Sequence, residues 1–110
     1  MHLPNGEQAI IDRRKIVDYC LCPEHDDGQH KAHLFSSLVG LTTENAQELV
    51  EALRIAAATR EAEVGKCDQY GQRYMIDLKL TGPAGSAMVR SAWIILKDEV
   101  VPRLVTCYIL

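Results

Sequence analysis

The chain has 110 residues, of which 47% are hydrophobic and 25% charged, and its net charge is -3 at pH 7. That is the length of one domain, long enough to bury a core without disulfide or metal staples, with the composition of an ordinary globular protein. A negative balance excludes overall attraction to nucleic acid, so any phosphate binding needs a local basic patch.

With one Trp, one Phe and four Tyr, the core must be mainly aliphatic. No segment reaches the roughly 18 apolar residues of a membrane helix. The opening residues, Met1 to Glu7, carry neither the basic region nor the apolar run of a signal peptide. A cytoplasmic location with no membrane partner is the expectation. The four cysteines are then expected as free thiols. Cys20 and Cys22 are too close for an easy bridge, and Cys67 and Cys107 fall in separate elements.

In chain order, Pro4-Asn5-Gly6 is a turn and Ala9-Ile10-Ile11 a candidate short strand. Asp12 reads as an N-cap for a helix over Arg13 to Leu21, with Ile16, Val17, Cys20 and Leu21 on one side and Pro23 ending it. Asp26-Asp27-Gly28 is a turn. A second helix is predicted from His30 to Val39, closed by Gly40, with Leu34, Phe35 and Leu38 as its buried stripe. Thr42-Thr43 caps a third, Glu44 to Ala58, with Ala46, Leu49, Val50, Leu53 and Ala57 inward.

Thr59 to Gly65 is a loop or short strand, and from there the period becomes two. Tyr74, Ile76, Leu78 and Leu80 alternate with Arg73, Met75, Asp77 and Lys79, the pattern of a half-buried strand. Tyr70-Gly71 marks a hairpin before it, and Thr81 to Ser86 a turn after it. Ala87 to Leu96 is another strand, Lys97-Asp98-Glu99 a turn, and Leu104 to Leu110 the last strand. Helices followed by closely connected strands predict an α+β domain over residues 1–110, with about three helices packed on a three- to four-stranded antiparallel meander.

Chemistry concentrates in Cys20 to His33, which holds three of the four histidines and two of the four cysteines. Cys20, Cys22, His25, His30 and His33 are suitable zinc ligands, but their spacing matches no zinc module, and a core-facing Cys20 reads equally as a small hydrophobe. No metal or other cofactor is expected. Gly28-Gln29-His30-Lys31 opens a helix, where backbone N–H groups favour phosphate. His30 is a candidate general base there, and Lys31 borders the buried stripe, either snorkelling outward or pointing into a pocket. His25 is a candidate second acid–base group, or else stiffens the turn. In the strands, Arg90, Arg103, Thr106 and Tyr108 could cradle a phosphodiester, although each alone is also an ordinary strand-surface residue.

Several of these residues also carry a family resemblance. Leu3-Pro4-Asn5, Ala9-Ile10-Ile11-Asp12, Lys15, Tyr19, Leu21, Pro23-Glu24-His25, Gly28, His30-Lys31-Ala32, Phe35 and Gly40 form an N-terminal pattern. Tyr70-Gly71-x-x-Tyr74, Arg90-Ser91-x-Trp93-Ile94 and Pro102-Arg103-Leu104-x-Thr106-x-Tyr108 complete it. The whole is similar to a family of small bacterial proteins defined by a domain of unknown function, some of them C-terminal domains of polymorphic-toxin-like proteins. The layout also resembles the barnase/EndoU/colicin/RelE group of metal-independent ribonucleases, an analogy at the level of fold. Together these imply a toxin-type endoribonuclease with His30, Lys31, His25, Arg90, Arg103, Thr106 and Tyr108 as its site. RNA and a cognate immunity or antitoxin protein would be its partners. The alternative is a non-enzymatic, antitoxin-like binding module.

Overall fold

Two helical segments begin where a side chain satisfies backbone N–H groups that the helix itself cannot, at Asp12 and at Thr42. The computed structural model describes residues 1–24 and 29–110. The Asp12 carboxylate accepts from the Arg14 N–H at 3.0 Å and starts α1 (Arg13–Lys15), which widens into a π-helical turn over Ile16–Cys20. Next come α2 (Gln29–Leu34), extended by a π-helical turn over Phe35–Val39, and α3 (Ala46–Thr59), preceded by a 3-10 turn over Thr43–Asn45. Thr42 and Asn45 cap that turn reciprocally, Thr42 Oγ1 accepting from the Glu44 N–H and Asn45 Oδ1 from the Thr42 N–H. The turn expected at Asp26-Asp27-Gly28 lies outside the described residues.

The strands β1 (Glu63–Asp68), β2 (Gly71–Gly82), β3 (Gly85–Leu96) and β4 (Arg103–Ile109) form an antiparallel meander in the order β1-β2-β3-β4. The expected α+β layout, with helices N-terminal to the sheet, is the one observed. Residues 9–11 do not form a strand of their own; only Ile10 bridges, in parallel, to Arg103. The stretch left open between loop and strand supplies β1 from Glu63 onward.

On the inner face Tyr74, Ile76, Leu78 and Leu80 of β2 meet Val89 and Trp93 of β3 and Leu104, Cys107 and Ile109 of β4. Ile16, Cys20, Leu21, Phe35, Leu49 and Leu53 close the core from the helical side. Among the described residues one polar side chain, that of Ser91, is buried with them. Ser91, at 0% exposure, accepts from Trp93 Nε1 at 2.9 Å and donates to the Ile76 carbonyl at 2.8 Å, so the indole N–H enters the core satisfied.

The stripe expected on α2 is rotated. Phe35 is fully buried, but Leu34 and Leu38 are 39% and 47% exposed, and Ala32 and Val39 take the inward positions. The end of the helix docks on the β2–β3 hairpin, where the Ala84 N–H donates to the Val39 carbonyl at 3.0 Å. A Cβ on Gly82 would collide with that same carbonyl, so the close approach depends on glycine. Gly40 then leaves the helix in the left-handed conformation, at φ 82°.

Between β3 and β4 the register shifts: Trp93 pairs with Leu104 but Ala92 with Thr106, leaving Val105 as the extra residue. Beyond this bulge Thr106 and Tyr108 alternate with the buried Cys107 and lie opposite Ala92 and Arg90.

Candidate functional site: a lysine clasped by two tyrosines and a threonine

Lys31 turns inward from the first turn of α2 because its neighbour Ala32 is buried against the core. Its ammonium Nζ donates to Thr106 Oγ1 at 3.3 Å and to the Tyr19 hydroxyl at 3.4 Å. It also lies over two aromatic rings, 4.6 Å from the Tyr19 centroid and 5.5 Å from that of Tyr108. Three elements meet at this point: the π-helical turn after α1, the first turn of α2, and β4 just past its bulge.

The cation stands in a cleft of about 680 Å³. Arg14, Lys15 and Lys31 border it against Asp12 and Asp18, three positive charges against two negative in a chain of net charge -3. Arg14 is occupied by the Asp12 carboxylate at 2.9 Å. Lys15 lies at 3.5 Å from the Val105 carbonyl, and its exposed side chain stands at the rim. A local positive excess is what phosphate binding requires of an acidic protein.

Opposite Tyr108 in the sheet, Arg90 makes a two-pronged bond with Asp77, Nε to Oδ1 at 2.9 Å and Nη2 to Oδ2 at 3.0 Å. Asp77 is held below the usual carboxylate range by that guanidinium. Arg90 is pushed further above its already high value, by Asp77 first and in smaller part by the Tyr108 oxygen. Arg90 thus stands opposite Tyr108, over whose ring Lys31 lies, across the β3–β4 ladder.

Thr106 also connects the cleft to the core. Its Oγ1 is 3.9 Å from Cys20 Sγ, and Cys107 donates its S–H to the same sulfur at 3.7 Å. The Cys20 thiol is lowered from its ordinary 9.0 to about 6. The Cys107 hydrogen bond is the main cause, opposed by burial and assisted by Thr106 and the Lys31 charge. The Cys107 thiol is pushed well up by the same hydrogen bond and by its own burial.

Of the residues expected at a site, the fold gathers Lys31, Thr106 and Tyr108, with Arg90 adjoining. His30, next to Lys31 on α2, is exposed and lines a different groove of about 580 Å³ that includes Leu21, His33, Ser36 and Thr42. Arg103 is engaged by Glu99, at 2.8 and 2.9 Å, and pairs in the ladder with Ile94 on the far side of the bulge. His25 lies outside the described residues. No group of three His, Cys, Asp or Glu side chains placed to hold a metal occurs among the described residues. None of their helices is long and apolar enough to cross a membrane.

Tyr19, Lys15 and Cys107 join the site without having been candidates. Tyr19 and Lys15 had entered only as residues of the family pattern, and Cys107 only as one of four free thiols. Position was the available signal: Tyr19 precedes Cys20 on one helix, and Cys107 separates Thr106 from Tyr108.

Comparison with known proteins adds two findings. The family model described as "Domain of unknown function (DUF6883)" matches residues 2–110, in agreement with the resemblance carried by the motifs. A chain of the contact-dependent growth inhibition toxin–immunity protein complex from Klebsiella pneumoniae 342 is similar in structure, with a TM-score of 0.71 and 20% identity. The likeness covers 92% of this chain and 99% of that one and concerns the fold. No curated protein matches.

Proposed function

The chain belongs to the family of the domain of unknown function DUF6883, and on that footing we propose a toxin-type endoribonuclease that cleaves RNA without a metal, its phosphate site centred on Lys31. One observation carries the reading: the ammonium of Lys31 is clasped by Tyr19, Thr106 and Tyr108 in a cleft with excess positive charge. The fold shared with a chain of a toxin–immunity complex supports it.

In this reading the scissile phosphodiester lies over Lys31, whose charge offsets the negative charge that grows on the non-bridging oxygens as the phosphorane forms. Lys15 at the rim meets a neighbouring phosphate. The Thr106 and Tyr108 hydroxyls orient the phosphate oxygens, with Arg90 opposite Tyr108 in the ladder. Lys31 donates a proton to the departing 5′-oxygen. For His30 to take the proton of the attacking 2′-hydroxyl, its exposed ring swings from the groove it lines to the Lys31 side of α2. Cleavage leaves a 2′,3′-cyclic phosphate. Arg103 and His25 are given no step.

Purified protein incubated with transfer RNA and messenger RNA in EDTA tests the proposal. Fragments ending in cyclic phosphate, and their loss in the His30→Ala/Lys31→Ala double variant, are expected. Intact RNA, or undiminished cleavage by that variant, overturns it.

A second reading, an immunity- or antitoxin-like module that binds a cognate protein, draws on the net charge of -3 and on the two-component nature of the similar complex. It predicts no cleavage of RNA, and a double variant that changes thermal stability alone.

A further inference from the structure

We propose that Cys20 and Cys107 are a redox-modifiable thiol pair, in which a hydroperoxide oxidises Cys20 and Cys107 resolves the product into an intramolecular disulfide. The pair goes beyond the ribonuclease reading and stands whether or not the cleft cleaves RNA.

The geometry comes from two elements that meet in the core. Cys20 ends the π-helical turn after α1, and Cys107 is the inward residue of β4 between Thr106 and Tyr108. Their sulfurs are 3.7 Å apart with no atom of another residue needed to link them. A disulfide is about 2.05 Å long, so closure requires about 1.7 Å of approach shared between two side chains.

The hydrogen bonding sets the roles. Cys107 points its S–H at Cys20, so Cys20 is the acceptor and the better-stabilised thiolate. Thr106 accepts from Lys31 and is free to turn its own hydrogen toward Cys20, which places a cation one hydroxyl away. Thr106 also lines the Lys31 cleft and contacts Cys20, so the route from solvent to that sulfur, itself 1% exposed, runs past Thr106. Cys22 and Cys67 are more exposed than this pair, whose two sulfurs share a hydrogen bond.

The chemistry balances in two steps. The Cys20 thiolate attacks one oxygen of the hydroperoxide; an S–O bond forms, the O–O bond breaks, and the alcohol or water leaves with a proton. Sulfur is oxidised to sulfenic acid and the peroxide is reduced. The Cys107 sulfur then attacks the Cys20 sulfur, an S–S bond forms, the S–O bond breaks, and water departs with the Cys107 proton. Overall, two thiols and one hydroperoxide give a disulfide, one alcohol or water, and one further water. The thiolate that Thr106 faced is lost, and with it one end of the hydrogen-bond chain that reaches Lys31.

The test treats the full-length protein with hydrogen peroxide after removal of reductant. Two of the four thiols should disappear. The intact mass should fall by two hydrogens, and a cross-linked Cys20–Cys107 peptide should appear that reductant dissolves. The Cys22→Ser/Cys67→Ser variant, changed only outside the buried core, should lose both remaining thiols in the same way. In Cys107→Ala, dimedone should trap a sulfenic acid on Cys20. Retention of Cys20 and Cys107 as thiols in folded protein, while Cys22 or Cys67 oxidises, overturns the proposal. So does retention of both thiols in the Cys22→Ser/Cys67→Ser variant.

Discussion

Replacing Lys31 by methionine separates what the lysine does for the fold from what it does for a phosphate. Two cation–π contacts, at 4.6 and 5.5 Å, are lost. Each is worth about 0.5–1 kcal/mol for a half-buried cation. The hydrogen bonds to Tyr19 and Thr106 are long, 3.4 and 3.3 Å, and the cleft admits water to both hydroxyls, so they add only tenths. Methionine keeps the aliphatic stem and regains about 0.3–1.5 kcal/mol from sulfur–aromatic contact. The net cost is about 1 kcal/mol, a fall in Tm of about 4 °C.

The effect on RNA is different in kind. One charge-assisted contact to a phosphate is worth about 1.5–3 kcal/mol, so affinity for a short single-stranded RNA should drop about 10- to 150-fold. The plot of log affinity against log salt should flatten by about 0.7 for the single contact removed. Anisotropy titrations between about 50 and 200 mM salt measure both, with a urea melt in parallel. An unchanged slope at unchanged affinity refutes the placement of phosphate at Lys31. A stability loss beyond about 3 kcal/mol, more than its contacts supply, refutes the assessment of Lys31 as mainly functional.

Ser91→Ala strands the Trp93 N–H in the core beside an under-bonded Ile76 carbonyl. It should cost about 2–3 kcal/mol in a urea melt, and a loss below about 0.5 kcal/mol would show that this buried bond matters little. Stability should rise with pH from about 6 toward 9.0, because the folded Cys20 pKa lies below that of the unfolded chain. The contribution is complete above 9.0 and is lost as pH falls through 6. Above 9.0 stability should decline again, since unfolding releases the Cys107 thiol to ionise. Cys20→Ala should abolish the rise between 6 and 9.0, and a wild-type melt flat across that window would contradict the assignment. Arg103→Ala, which breaks only the exposed pair with Glu99, should leave both the urea midpoint and RNA binding where they were. Weakened RNA binding in this variant would bring Arg103 back into the site.

The local grammar of this chain was legible without coordinates. Asp12 and Thr42 start helices because their oxygens meet orphan N–H groups, and Gly40 ends one because only glycine takes a left-handed turn there without strain. The period of two from Arg73 to Leu80 places Tyr74, Ile76, Leu78 and Leu80 in the core. Lys31, Arg90, Thr106 and Tyr108 could likewise be named as candidates from residue type and position. Where they stand relative to one another could not. Leu34 and Leu38 face outward because the end of α2 docks on the β2–β3 hairpin, a contact that periodicity does not encode. A bulge at Val105 separates Arg103 from Thr106 and Tyr108, and strand register alone sets Arg90 opposite Tyr108. Cys20 and Cys107, 87 residues apart, touch only because a helix end closes against the last strand. Sequence periodicity assigns a side chain to a face, whereas the meeting of two faces depends on pairing register and helix docking, which are settled over the whole fold at once.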